Sequence, residues 1–407
     1  MIKREKYLKK IKPFIDKPLI KAITGIRRCG KSVLLQQICD ELLERGVSTG
    51  QIISINKELY EYDFIKNYTD LHRYVSSKRD LNSKKTYYVF VDEVQEIDQW
   101  EKCINSLLAE NHYDLYISGS SARFLSSELA TLISGRYVEF QIYTFSFSEF
   151  VELYIQKNTE GKTDRDFLFS EYQKYGGFPG LFSIEWEEIV LRQYLQSVFN
   201  TILLKDVITR NKVRDAAMLQ RILFFLADNC GNITTAKNIS DFLKSQKMKI
   251  SPETVQNYIQ FALDAYLLIQ SKRYDIKGKR LLELHEKYYM GDLGLLYAMK
   301  GFEPDMISAR LENIVLHEML TRGYQVKVGK NTQREVDFIC EKGNDKIYLQ
   351  VCKSLYEGNA YEREYKAYEG IEDFFPKYVL SLDQGFDTDK NGIKWMNIKD
   401  FLFENKI

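Results

Sequence analysis

The sequence contains no CxxC pair and no histidine cluster. Its six cysteines (Cys29, Cys39, Cys103, Cys230, Cys340 and Cys352) are scattered, and its four histidines are equally dispersed. That spacing removes the ligand sets of a structural zinc site and fits a chain kept in a reducing cytosol. No run of about 18 apolar residues occurs, so nothing is expected to span a membrane. The amino-terminal stretch MIKREKYLKKIKPFI is basic but lacks the continuous apolar core of a signal peptide. Net charge is only +1, so any nucleic-acid surface must be a local patch. What remains is a chain of 407 residues with 44% hydrophobic content, long enough for two to four packed domains.

From residue 20 to 147 short apolar segments alternate with helical ones. IKAIT (20–24) reads as a strand running into a glycine loop, and SVLLQQICDELLERG as the helix after it. QIISIN is a second strand, followed by a helical region from Leu71 to Lys78. TYYVFVDE (86–93) is a nearly continuous apolar run, the mark of a strand buried on both faces. EKCINSLLAEN follows as a helix and YDLYISGS as another strand. Such alternation predicts an α/β fold with a parallel sheet.

Beyond residue 147 the period becomes helical. FSEFVELYIQK, RDFLFSEYQKYGG and EEIVLRQYLQSVFNTILLKDVITR read as helices, with GGFPG (176–180) as a breaker. Three more helices follow from Ala216, the last opened by Ser251, Pro252 and Glu253. A basic ribbon with Gly278 at its tip comes next. Three helices and a hairpin make a winged-helix pattern. From about residue 305 the order is helix, strand, strand, helix, strand, helix. The expected domains are a parallel α/β core over 1–150, a helical lid or linker over 151–211, a winged-helix-like domain over 212–300 and a small α/β domain over 301–407.

The strongest chemical signal is GIRRCGKS, which fits G-x-x-x-x-G-K-[ST] between a strand and a helix. Glycines let the backbone curl so that N–H groups face phosphate oxygens, and the helix N-terminus adds its dipole. Gly25, Ile26, Arg27, Arg28, Cys29, Gly30, Lys31, Ser32 and Val33 form the expected nucleotide-binding segment. Lys31 would reach the β- and γ-phosphates, and the Ser32 hydroxyl would coordinate Mg²⁺. In VFVDE, Asp92 and Glu93 fall at the carboxyl end of a buried strand, where ligands bind in open α/β sheets. Asp92 would hold Mg²⁺ through water, and Glu93 would orient or deprotonate the attacking water. The strand DLYIS ends in GSS, where the hydroxyl of Ser120 is placed to sense the γ-phosphate. A turn-forming role for GSS is the competing reading.

ITGIRRCGKSVLL, YYVFVDEVQEIDQW, YISGSSARFLSSELATLISGR and FSFSEF together resemble one family, the AAA+-type ATPases of archaea and bacteria that carry a C-terminal domain of unknown function. The likeness continues through YQKYGGFP, KYYMGDLGL, LENIVLHEMLTRGY, REVDFI and IYLQV, so it spans essentially the whole chain. It implies an ATP- and Mg²⁺-dependent core, a winged-helix region and a nuclease-like C-terminal fold. Arg136 falls where the family keeps an arginine after the sensor strand. An arginine suits transition-state phosphoryl charge, in its own subunit or on a neighbour's ATP within a homo-oligomer; a surface salt bridge is the alternative.

Two further surfaces carry expectations. Lys272, Arg273, Lys277, Lys279 and Arg280 in the ribbon stand against a single acid, Asp275, and could lie on a DNA backbone; a protein-docking role is the alternative. At the C-terminal end, nucleases of the PD-(D/E)xK type need a helix carboxylate, a strand aspartate and E-x-K on the next strand. Glu312 and Asp337 fill the first two places, but the third reads Gln350-Val351-Cys352. Lys353 points to the other face of a regular strand, which leaves Glu362 or Glu364 to complete a site. The reading is a nuclease-like scaffold without catalysis. The function expected overall is an ATP-driven switch acting on DNA or a protein partner, with an ATP-gated nuclease and a non-hydrolysing adaptor as the alternatives.

Overall fold

A computed structural model of the chain describes residues 2–80, 82, 84–125, 135–157, 163–282, 285–332, 334–385 and 389–404. The chain forms two compact units, Met1–Tyr143 with Asp264–Tyr266, and Thr144–Leu263 with Leu267–Ile407. No helix among the described residues is long and apolar enough to cross a membrane.

The first unit is built on a five-stranded parallel sheet, β1 (Ile20–Thr24), β2 (Ile52–Asn56), β3 (Tyr87–Asp92), β4 (Tyr113–Gly119) and β5 (Tyr137–Gln141), in the order β2-β3-β4-β1-β5. Every residue of β1, β3 and β4 is buried, whereas the edge strands β2 and β5 are only partly so. The apolar runs IKAIT and YYVFV thus belong to strands covered on both faces, each Ile, Val or Leu contributing about 1.5–3 kcal/mol. β5 escapes the sequence reading because YVEFQ has the mixed polarity of a half-covered edge. Helix α1 (Glu5–Ile11) precedes the sheet, and α2 (Lys31–Glu44) follows β1 and buries Leu34, Leu35, Ile38 and Leu42. Helix α3 (Tyr68–Lys78) starts at Asn67, whose side chain accepts from the N–H groups of Thr69 and Asp70, and packs against α4 (Trp100–Ala109).

The second unit opens with helices Phe147–Lys157, Arg165–Tyr175 and Glu188–Thr201. The long helix expected from EEIVLRQYLQSVFNTILLKDVITR is α-helical only to Thr201; Ile202–Thr209 forms a π-helix. Helices Ala216–Asp228, Ala236–Ser245 and Pro252–Asp264 follow. A small antiparallel sheet joins β6 (Ile233–Thr234), β10 (Glu286–Met290) and β7 (Leu268–Ser271), in that order. The rest of the strands make one mixed eight-stranded sheet. It contains β8 (Arg273–Asp275), β9 (Arg280–Leu281), β11 (Gln325–Asn331), β12 (Arg334–Lys342), β13 (Asp345–Val351), β14 (Lys377–Ser381), β15 (Asp389–Lys390) and β16 (Ile393–Asn397). Their order is β15-β16-β14-β13-β12-β11-β8-β9. Helix Ile307–Thr321 lies against β11, β12 and β13.

The basic ribbon differs from expectation in its setting. β8 and β9 do pair as a hairpin, and Asp275 accepts from the Gly278 N–H at its turn. But β8 also pairs in parallel with β11, so the ribbon is an edge of the large sheet rather than a free wing.

Two of the sequence motifs, YQKYGGFP and KYYMGDLGL, meet at one buried carboxylate. Asp292 accepts from Thr144 Oγ1 (2.6 Å), Gly177 N (2.9 Å) and Gly294 N (2.6 Å), the last capping helix Leu293–Lys300. Thr144 Oγ1 also lies 3.1 Å from His317 Nε2. A Cβ on Gly177 would come within 2.2 Å of the Phe145 carbonyl oxygen, which is why the GGFP breaker needs glycine there. Burial, with no cation to oppose it, pushes the Asp292 carboxyl up to about 6.

Candidate functional site

The loop between β1 and α2 turns through two backbone states that only glycine adopts easily, at Gly25 (φ 145°) and Gly30 (φ 102°). A Cβ on Gly25 would approach the Ile142 carbonyl oxygen to 2.2 Å, so the loop is pressed onto the chain beyond β5. Ile26 and Cys29 are buried beneath the loop, while Arg28 and Ser32 are exposed. Arg27 pairs with Glu58 at 3.1 Å. Cys29 is further held from behind by Arg4, whose guanidinium donates to the carbonyls of Cys29 (3.2 Å) and Tyr143 (2.9 Å). Arg4 is 2% exposed, and nothing in the basic amino-terminal stretch singles it out.

Lys31 opens α2 and turns back over the loop. Its ammonium donates to the carbonyls of Gly25 (3.2 Å) and Ile26 (3.4 Å) and stands 3.4 Å from Glu93 Oε1. Asp92 ends β3, and Glu93 follows in the left-handed conformation (φ 53°). Both acids are buried, at 5% and 6% exposure. Register explains their surroundings: Val91 is level with Ile117 on β4, and Ser118 is level with Ile23 on β1. The Ser118 hydroxyl therefore lies between the acids, donating to Asp92 Oδ1 and accepting from the Glu93 N–H (3.1 Å). Ser120 and Gln95 both hydrogen-bond the Glu93 carboxylate. Burial pushes Glu93 up, but Lys31, Gln95, Arg27 and Ser120 outweigh it, and the carboxyl titrates below its ordinary range. An ionised acceptor is thus kept in a place that excludes water.

The fold brings together the loop Gly25–Ser32, Asp92, Glu93 and Ser120, and it adds Ser118, which the sequence reading passed over in favour of Ser120. It separates Arg136. That residue precedes β5, is exposed, and its carbonyl accepts from Ile20 N at the start of β1. The loop leaves the opposite end of β1, about 16 Å away along five strand residues. An arginine at that edge does not reach the phosphate site of its own chain. Residues 126–134 of the stretch SSELATLISGR lie outside the described residues.

In the second unit Glu312, Asp337 and Gln350 do come together. With Glu335 and Glu364 they line a cavity of about 500 Å³. Lys353 pairs instead with Glu357 at 2.8 Å, Glu362 with Lys366 at 2.8 Å, and Glu364 with Arg363 at 2.6 Å. The residue missed is Lys287, in the quoted motif KYYMGDLGL. Its ammonium lies 3.2 Å from Glu312, 2.7 Å from Glu335 and 3.7 Å from Asp337. Among the described residues no group of His, Cys, Asp or Glu has metal-holding geometry. The ribbon cations Lys272, Lys277, Lys279 and Arg280 are exposed and Arg273 is half-buried.

The residues fit a nucleoside triphosphate with Mg²⁺. The glycine turns, the α2 N-terminus and Lys31 suit phosphate, while Asp92 and Ser32 suit the metal. Comparisons with known proteins agree. A model of the AAA domain matches residues 17–151, and one of a domain of unknown function (DUF8612) matches residues 166–306. An uncharacterized protein of Haemophilus influenzae is 37% identical over 405 residues, covering 99% of both chains. An uncharacterized protein of Methanocaldococcus jannaschii is 30% identical over 395 residues, 90% of this chain and 83% of that one. Among solved structures, a Walker-type ATPase of Pyrococcus abyssi shares the fold at a TM-score of 0.54 and 16% identity, covering 74% of this chain and 96% of that one.

Proposed function

The chain belongs to the family of bacterial and archaeal proteins that join an AAA-type P-loop ATPase domain to a domain of unknown function, and from that premise we propose that it hydrolyses ATP and uses the cycle as a switch. The observation that carries this reading is the Lys31–Glu93 contact. The lysine that would meet the β- and γ-phosphates is paired with the carboxylate that would activate water. When phosphate draws Lys31 away, Glu93 loses the cation that lowers its pKa, and it becomes a better proton acceptor. Asp92 would hold Mg²⁺ with Ser32. Ser118 and Ser120 link both acids to β4, so a change at the γ-phosphate is passed to the end of that strand.

The switch acts on DNA or on a protein partner. Supporting the DNA option are the winged-helix-like set of three helices with a small sheet, and the exposed cations on the β8–β9 edge. Boundaries at 150, 211 and 300 divide core, lid, winged-helix-like module and C-terminal α/β domain in this reading, with β8 and β9 lent by the third to the sheet of the fourth. Arg136 would serve only across a homo-oligomer interface, on a neighbour's nucleotide.

The test is ATP turnover and ATP binding measured on Glu93→Gln. Turnover lost with binding kept supports hydrolysis through Glu93; turnover equal to the wild type overturns it.

A further inference from the structure

The carboxylates grouped around Asp337 converge on an ammonium that the chain itself supplies. Lys287 enters from β10 of the small sheet, and only 5% of its side chain is exposed. Burial drives an amine toward its neutral form, yet Glu312, Asp337 and Glu335 outweigh burial and keep it charged. Tyr289 OH donates to the same Glu312 Oε2 that faces the ammonium (2.8 Å), and Val351 N donates to Asp337 Oδ2, the oxygen turned away from it (2.8 Å). Gln350 Oε1, the oxygen left in the third ligand place, accepts from the Asp337 N–H (3.1 Å). Oxygens at 2.7–3.7 Å from one nitrogen suit an ammonium; Mg²⁺ demands about 2.0–2.1 Å in an octahedron.

We propose that this cluster is a closed cation site whose resident cation is the Lys287 ammonium. It stands where a divalent ion would, and it ties β10 to helix Ile307–Thr321 and β12. The same arrangement sets an ammonium against the carboxylates that metal-dependent cleavage of a phosphodiester would need. A divalent ion arriving through the cavity would have to displace an ammonium already paired with three carboxylates, which is the unfavourable half of any exchange. Burial, and then the Glu312 charge, push the Asp337 carboxyl well up.

The experiment is a Mn²⁺ titration followed by electron paramagnetic resonance, on nucleotide-free full-length wild type, Asp337→Asn and Lys287→Met, with thermal unfolding of each. Wild type and Asp337→Asn should take up Mn²⁺ identically. Lys287→Met should lose about 10 °C of Tm and recover part of it with millimolar Mn²⁺, binding one additional equivalent. A Mn²⁺ equivalent present in wild type and absent from Asp337→Asn overturns the proposal. So does an unchanged Tm, or no added Mn²⁺ binding, in Lys287→Met. Should that variant not fold, the comparison of wild type with Asp337→Asn decides alone.

Discussion

Two lysines in this molecule meet buried carboxylates, and they do so in opposite ways. Lys31 faces one acid at 3.4 Å and two backbone carbonyls, a loose set that a phosphate can outbid. Lys287 faces three acids, the nearest at 2.7 Å, a denser set of counter-charges than a single ligand replaces. The same contrast holds for the acids. Glu93 is buried beside a cation and titrates low, whereas Asp292 is buried without one and is pushed up to about 6. Burial alone does not make a site; the count and exchangeability of counter-charges decide whether a cluster can change partners.

The comparison predicts that charge removal in the first unit damages chemistry and in the second damages stability. The largest effect should be Glu93→Gln, lowering ATP turnover about 10²–10⁴-fold with ATP affinity within a few-fold by calorimetry. Lys287→Met should come next, costing about 3–5 kcal/mol in urea unfolding because its carboxylates are left uncompensated. Lys31→Met should cost about 1 kcal/mol or less, and equal costs for the two lysines would break the comparison. Gly25→Ala should fall between the two lysines, at about 1–3 kcal/mol of strain against the Ile142 carbonyl, with a disproportionate rise in KM for ATP. The smallest effect is in pH. Asp292 has a folded pKa above its unfolded value of about 3.9. Its stabilisation is therefore complete below that value and is lost as pH rises toward about 6. Between pH 7 and 5 the wild type should gain about 1 kcal/mol relative to Asp292→Asn. Parallel pH profiles of the two proteins would show that Asp292 titrates normally.

The sequence displayed the phosphate site plainly because its parts are local: a loop of eight residues, and two acids at the tip of an apolar run. The parallel sheet was legible for the same reason, since two-sided burial writes itself as uninterrupted Ile, Val, Tyr and Phe. Ser118 was harder, because only the register between β3 and β4 sets it, rather than Ser120, between the acids. The position of Arg136 would have been legible had YVEFQ been recognised as a parallel strand, since a residue before such a strand lies at the edge opposite the loop. Lys287 and the β8–β11 pairing were beyond local pattern altogether. Each depends on a partner 25 or more residues away in the chain, reached through a sheet whose order no periodicity encodes.

The left-handed backbone at Glu93 (φ 53°) has an evolutionary corollary. Glycine or asparagine would sit there more comfortably, by about 1 kcal/mol, so a library sorted for heat resistance alone should drift toward those residues. Under the proposed hydrolysis through Glu93, retention of glutamate at such an uncomfortable position is the signature to look for among relatives.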